Sequence, residues 1–142
     1  MTIALLLLQA LTLGIGEHRT EDTWRSASNR WDVAELVAES PEVARVHVAG
    51  TMSFRHGWDW DYYPAWGIGA FGRIATPGPL GFWVGGQAFT DSRPRMGLVT
   101  KARLNRWLGL HFAALWARDL ACTARIDLNW RKGVGANGER YD

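Results

Sequence analysis

The chain has 142 residues, a formal net charge of +2, nine tryptophans, sixteen glycines and one cysteine. This length predicts one domain, the lone Cys122 excludes an intramolecular disulfide, and scattered arginines without a basic stripe argue against a nucleic-acid partner. The excess of tryptophan and glycine is typical of membrane–water interfaces and of barrel strands.

A short apolar run, IALLLLQALTLGI, occupies residues 3–15. A transmembrane helix needs roughly 20 residues, whereas the apolar part of a secretory signal peptide is about this short. Gly14 and Gly16 supply the small residues of a cleavage site before Glu17. We therefore expect a signal peptide over residues 1–16 and a single mature domain over residues 17–142. An uncleaved anchor or a buried N-terminal helix is the alternative.

Residues 20–40 are predicted to form an amphipathic helix. Trp24, Trp31 and Ala38 recur at helical spacing, and charged residues occupy the other face. Pro41 ends this pattern, because the residue before a proline is pushed out of helical backbone angles. The helix is suited either to a membrane surface or to packing on a soluble sheet.

From Val46 onward the apolar period changes from 3.6 to 2, which predicts a barrel over residues 45–131. Six strands are visible, at about 46–55, 65–75, 82–89, 96–104, 107–117 and 121–130. Their short connections, including the turn Pro77-Gly78-Pro79-Leu80-Gly81, predict an antiparallel up-and-down meander. The glycine-rich residues 132–142 are predicted to be a flexible tail.

Polar residues on one strand face and aromatics near strand ends are typical of a transmembrane β-barrel. The same alternation also fits a soluble barrel with apolar residues inside, because a sequence pattern does not distinguish the inner face from the outer one. The predicted fold is thus an all-β, small antiparallel barrel preceded by the amphipathic helix, with a membrane-spanning barrel favoured over a soluble one.

A candidate catalytic set consists of His47, Asp91 and Ser92. Asp91 and Ser92 follow the strand 82–89, and His47 lies on the polar face of the strand 46–55. A serine needs a base within hydrogen-bond reach, and the base needs an acid to orient it. The simpler interpretation of Asp91-Ser92 is a turn cap. His56 with Asp59 and Asp61 fits no standard metal-ligand spacing, so no metal is expected.

The segment from Trp66 to Ser92 resembles the lipid A palmitoyltransferases of Gram-negative outer membranes. No single motif carries the resemblance, which rests on an ordered set over about residues 22–119. The matching pieces are Trp66-Gly67, Gly69, Phe71-Gly72, Ala88-Phe89-Thr90-Asp91-Ser92, Leu108-Gly109-Leu110 and Ala117-Arg118-Asp119.

The resemblance implies an eight-stranded outer-membrane barrel with a periplasmic N-terminal helix. It implies transfer of a palmitoyl chain from a phospholipid donor to a lipid A acceptor, without a cofactor. Asp91 and Ser92 match the family's acid and serine by position, and His47 matches its histidine by separation from Asp91. An alignment anchored on Phe54 instead puts Thr51 at the histidine position. The expected protein is a monomer of the outer membrane.

Two departures from the family keep alternatives open. Six strands are visible where the family has eight, and the region after Arg118 is short. The alternatives are a non-enzymatic small outer-membrane barrel, an inactive relative, or a soluble lipocalin-like lipid-binding barrel.

Overall fold

Eight antiparallel strands form a closed barrel in which each strand pairs with the next and β1 pairs with β8. The computed structural model describes residues 10–20, 31–56, 62–90, 93–131, 133–134 and 140–141. The strands are β1 Ala10–Thr20, β2 Trp31–Glu39, β3 Val46–His56, β4 Tyr62–Ala75, β5 Leu80–Phe89, β6 Arg95–Arg103, β7 Leu108–Trp116 and β8 Leu120–Arg131. Two further short strands, β9 Gly133–Val134 and β10 Arg140–Tyr141, pair with each other within the tail. Nowhere in these ranges is there a helix long and apolar enough to cross a membrane.

The all-β antiparallel barrel predicted from the sequence is confirmed, and the six visible strands are β3 to β8. The alternation and the short connections of these strands were sufficient to predict the barrel, because each hairpin pairs strands that are neighbours in the chain. The predicted proline–glycine turn is also present. Leu80 N donates to Pro77 O at 3.2 Å, and Gly78 at the first central position has a φ of 60°.

The predicted helix over residues 20–40 is wrong for Trp31–Glu39, which form β2. In this strand Val33, Glu35, Val37 and Glu39 are buried in the barrel, and the residues between them are more exposed. The inward residues of β2 therefore follow a period of 2, although the spacing of the tryptophans suggested the helical period of 3.6. Residues 21–30, which carried the rest of that spacing, lie outside the described residues.

The expected leader overlaps β1. Ala10–Gly16 pair with β2 on one side and with β8 on the other, and residues 1–9 lie outside the described residues. The barrel thus has the eight strands that the resemblance implied. The two strands in addition to the predicted six are β1 and β2, which precede them in the chain, and not strands after Trp130.

The two ends of the barrel differ in their connections. The connections at 40–45, 76–79 and 104–107, the start of β1 and the end of β8 lie at one end, called here the turn end. The connections at 21–30, 57–61, 90–94 and 117–119 lie at the opposite end, called here the loop end. The longest of these connections, residues 21–30, is therefore at the loop end.

The barrel interior holds polar and charged side chains among apolar ones, and the outer surface carries many large apolar side chains. Buried polar and charged residues point inward: Thr12, Glu35, Glu39, His47, Ser53, Arg125 and Asp127. Large apolar side chains are exposed on the outside along most strands, including Leu13, Ile15, Val48, Ile68, Val84, Leu98, Phe112, Ile126 and Leu128. A soluble barrel has the reverse arrangement.

The connection between β2 and β3 holds two non-glycine residues in the left-handed backbone region. Ala44 has a φ of 51° and Arg45 a φ of 67°. Tight hairpin turns of this twist require positive φ at the central residues, which glycine adopts without a steric penalty. Side chains at these two positions therefore destabilise the turn.

We expect Arg45→Gly to raise the free energy of unfolding by about 1 kcal/mol, because it removes left-handed strain. Gly78→Ala is the matched opposite and should lower it by about 1 kcal/mol. Urea unfolding, followed by tryptophan fluorescence, measures the free energy of unfolding of both variants. Shifts of the two variants in the same direction would contradict this account of the turns.

Candidate functional site in the barrel interior

Side chains fill most of the barrel interior. Eight strands enclose a space just wide enough for their own inward side chains. A cavity of about 40 Å³ remains in the middle, lined by Glu35, Glu39, His47, Lys101 and Arg125 among others. This volume accommodates a few water molecules and no larger ligand. The chemistry of the interior is therefore that of its own charged side chains.

Arg125 on β8 is the centre of the first charged cluster. Its Nε and Nη2 donate to the two carboxylate oxygens of Asp127 at 2.9 and 3.0 Å, a bidentate pair between inward residues two apart on one strand. Its Nη1 donates to Glu35 Oε2 on β2. Ser53 Oγ on β3 donates to Glu35 Oε1 at 3.3 Å. One guanidinium is thus shared between two buried carboxylates.

Glu39 on β2 is the centre of the second cluster, nearer the turn end. Its carboxylate accepts a hydrogen bond from Lys101 Nζ on β6 and lies 3.9 Å from His47 Nε2 on β3. His47 stacks on Phe71 with ring centroids 5.7 Å apart, and Lys101 Nζ lies 5.2 Å from the centre of a Trp83 ring. Side chains from β3 and β6 therefore contact this carboxylate, and rings from β4 and β5 pack on those two side chains.

Toward the loop end the interior becomes apolar. Val33, Ala65, Leu115 and Ala121 are buried there, on β2, β4, β7 and β8. Near that end a partly buried polar contact joins His18 and Thr123. The polar part of the interior is therefore nearer to the turn end.

The structure places His47 with Glu39 and Lys101, close to the turn end. Through the strand register His47 is level with Phe71 and Gly85. From Gly85, β5 continues to Phe89 at the loop end, away from His47. Asp91 and Ser92 lie outside the described residues, in the connection that follows. In the structure His47 therefore lies beside Glu39, which the sequence analysis assigned to the predicted helix.

Two other histidines lie at the loop end. His18, near the end of β1, has Nδ1 2.8 Å from Thr123 Oγ1 on β8. His56 is the last residue of β3, at the end of the barrel where β5 also ends. By backbone position, His56 is thus closer than His47 to the connection between β5 and β6.

The inward glycines of β4 and β5 make room for aromatic rings. A Cβ atom on Gly67 would lie 2.6 Å from Phe89 Cε1, and one on Gly69 would lie 2.7 Å from Phe71 Cε2. A Cβ on Gly85 would lie 2.1 Å from Ala70 O and 2.9 Å from Phe71 Cδ1. The space that these glycines leave inside the barrel is therefore occupied by Phe71, Phe89 and backbone.

Within the described ranges, no group of three or more His, Cys, Asp or Glu residues is arranged to hold a metal ion. Comparison with family models, with curated proteins and with solved structures gave no match. Function must therefore be inferred from the geometry of this chain.

Sequence reasoning missed Glu35, Glu39 and Lys101 as interior residues. Glu35 and Glu39 were assigned to the polar face of a helix, and Lys101 lies in a weakly alternating strand. The sequence feature that indicates an inward position for the two glutamates is the alternation in β2, where two glutamates and two valines occupy every second position from 33 to 39. The alternation of residues 121–130 places Arg125 and Asp127 on one face of that strand, but it does not identify their partner on β2.

We expect Arg125→Met to lower the free energy of unfolding by about 3–5 kcal/mol, because Glu35 and Asp127 would be left buried without a counter-charge. Equilibrium chemical unfolding measures the loss. Adding Glu35→Gln and Asp127→Asn to the same protein should recover part of it.

Arg95→Met is the matched control. Arg95 makes two hydrogen bonds to Asp119, at 2.7 and 2.8 Å, but at the partly exposed loop end. Its removal should cost about 1 kcal/mol. An equal cost for the two arginine variants would show that burial of the carboxylates is not the source of the effect.

Proposed function

We propose that this protein is an integral β-barrel of the Gram-negative outer membrane, with its outer surface in contact with lipid. The observation that carries the proposal is the polarity of the barrel: paired charges inside and large apolar side chains outside. Lipid solvates such an outer surface, and a closed barrel leaves no backbone group of its strands unpaired in the bilayer.

Aromatic side chains at the two ends of the barrel support this proposal. Trp66 and Trp116 are exposed near the loop end, and Trp107 and Trp130 near the turn end. From Trp107 to Trp116 the chain rises roughly 30 Å, which a tilt of about 40° reduces to roughly 23 Å along the barrel axis. Outer-membrane barrels have an apolar band of about 25 Å between two aromatic girdles.

The general features of outer-membrane barrels also favour one orientation of this barrel in the membrane. Barrels of this class have short periplasmic turns and longer extracellular loops. The turn end, where β1 begins and β8 ends, would then face the periplasm. The loop end, with its connection at 21–30, would face outward.

The soluble, lipocalin-like alternative is less consistent with these features. A soluble lipid carrier needs apolar side chains around a ligand cavity and polar ones outside. Here the interior cavity is only about 40 Å³, and charged residues such as Glu35, Lys101 and Arg125 line it together with apolar ones. A lipid chain needs a far larger space, since drug-sized ligand pockets are about 300–1,000 Å³.

We expect an arginine substitution on the outer surface to cost more at mid-barrel than near an end. Phe112, 50% exposed at the middle of β7, and Leu108, 39% exposed at its turn end, form a matched pair. Phe112→Arg should lower the free energy of unfolding in lipid vesicles by about 2–4 kcal/mol and Leu108→Arg by about 0–1 kcal/mol. Chemical unfolding from vesicles measures this, and heat-modifiable gel mobility verifies insertion. Equal small costs would indicate a surface in water and so contradict the proposal.

As a second candidate function, we propose transfer of a palmitoyl-type chain from a phospholipid to lipid A at the loop end. Its support is the resemblance of Trp66–Ser92 to lipid A palmitoyltransferases and the strand register, since β5 ends at the loop end, just before Asp91 and Ser92. A histidine base beside them would take the proton of the acceptor hydroxyl as that oxygen attacks the carbonyl carbon of the donor ester. The donor's ester bond then breaks, and the histidine gives the proton to the oxygen of the departing lysophospholipid. By backbone position His56 suits this role better than His47.

The lipid A mass spectrum of cells expressing the protein tests this activity. We expect lipid A to gain one long acyl chain with wild type and with His47→Gln, and no chain with Ser92→Ala or His56→Ala. Loss with His47→Gln and retention with His56→Ala, at equal amounts of folded barrel, would reverse our choice of base. Unmodified lipid A with correctly inserted wild type would contradict the activity and leave the non-enzymatic barrel.

A further inference from the structure

A groove of about 470 Å³ crosses the outer surface of four neighbouring strands, β6, β7, β8 and β1. It is far larger than the interior cavity of about 40 Å³. Its volume lies within the range of about 300–1,000 Å³ that is typical of ligand pockets. We call this space the outer groove. The outward side chains that shape it include Ile15, Thr100, Ala102, Phe112, Ala124 and Ile126.

The outer groove forms where small outward side chains lie between large ones. Ala124 is paired in register with Phe112, and Ile126 is the next outward residue on β8. Thr100 is the partner of Phe112 on its other side, and Ala102 is the next outward residue on β6. The large side chains project from the barrel and the small ones do not. The surface is therefore recessed between them.

The outer groove is elongated and rises along the barrel. On β6 it includes Ala102, one residue from the turn end of that strand, whereas on β1 it reaches Glu17, closer to the loop end. It spans three strand spacings of about 4.8 Å, or roughly 14 Å. Because the strands tilt by about 40°, rows of paired residues are inclined to the membrane plane by a similar angle. The groove therefore suits a long, narrow ligand.

The lining of the outer groove is almost entirely apolar. Apart from Glu17, the outward side chains that border it are hydrocarbon or, at Thr100, small and weakly polar. Two inward residues also border the groove. Arg125 makes its side-chain hydrogen bonds inside the barrel, and His111 lines the interior cavity. The chemistry of the recess is thus that of a hydrocarbon surface.

A charged pair marks the loop-end side of the outer groove. Arg19 Nη2 lies 3.2 Å from Glu17 Oε2, and both side chains are outward and partly exposed. On the outer surface of a barrel in lipid, charged side chains cost little near the interface and much at the midplane. The pair is therefore placed near lipid headgroups. A ligand that follows the groove would have its polar end at this pair and its apolar end toward the turn end.

We propose that the outer groove binds one acyl chain of a phospholipid, with the headgroup near the pair of Glu17 and Arg19. This inference rests on the proposed insertion of the barrel in lipid, which brings acyl chains to this surface, and it does not require acyl transfer. In lipid, van der Waals packing decides which surfaces stay in contact. A recess contacts a chain on several sides, whereas a convex surface contacts it on one.

Photocrosslinking of the full-length barrel in vesicles tests the site. The probe is a phosphatidylcholine with a diazirine in the middle of one palmitoyl chain, diluted in unlabelled phosphatidylcholine, and peptide mass spectrometry locates the adducts. We expect a severalfold higher yield on Phe112 and Ala124 than on Ile68 and Val84. The latter two are exposed outward residues of β4 and β5, on the opposite side of the barrel.

Filling the recess should remove the preference. We expect Thr100→Leu/Ala124→Leu to reduce the yield on Phe112 to that on Ile68, because larger side chains occupy the space of the acyl chain. Ala70→Leu is the matched control, since Ala70 is an exposed outward alanine of β4 that does not border the groove. Its yield on Phe112 should equal that of wild type. Heat-modifiable gel mobility verifies insertion of every variant.

Equal yields over the outer surface of the inserted wild type would overturn the proposal and indicate lipid without a preferred site. A yield on Phe112 and Ala124 below that on Ile68 and Val84 would also overturn it, and would indicate that a protein surface, such as a second copy, covers the groove. Failure of the wild type to insert is detected separately by gel mobility, and it would contradict the membrane proposal together with this one.

Discussion

Pairing of β1 with β8 is the interaction on which the rest of the structure depends. It joins Ala10 to Arg131 and Thr20 to Ala121, and it removes both open edges of the sheet. Closure at eight strands also fixes the width of the interior. Every inward side chain must then fit, and every inward charge must find its partner, within that fixed width.

The charged clusters follow from this constraint. Glu35 on β2 and Arg125 on β8 become neighbours because β1 alone lies between their strands in the closed barrel. Once the interior is occupied by paired charges and aromatic rings, apolar side chains remain for the outer surface. The same closure therefore accounts for a filled interior, for an apolar outer surface, and for charged clusters that lie nearer the turn end.

Much of the barrel could be predicted from the sequence, because β3 to β8 are consecutive hairpins whose alternation is visible locally. The first two strands could not. In β1 the inward residues are small (Ala10, Thr12 and Gly14), so the segment resembles a uniformly apolar leader. In β2 the apolar residues satisfy a helical period and a period of 2 together. Interior pairs such as Glu39 with Lys101 depend on the register of distant strands, which no local pattern contains.

The seam between the first and last strands also determines the order in which the barrel can form. Each of the other seven pairings joins strands that are consecutive in the chain, whereas the seam joins the two that are farthest apart in sequence. Contacts of such separation carry the largest loop-closure entropy and form slowly. Until the seam closes, two unpaired strand edges and a broad apolar surface are exposed together, a combination that promotes association between chains. Assembly of this barrel thus depends on keeping the open sheet apart from other copies until its first strand meets its last.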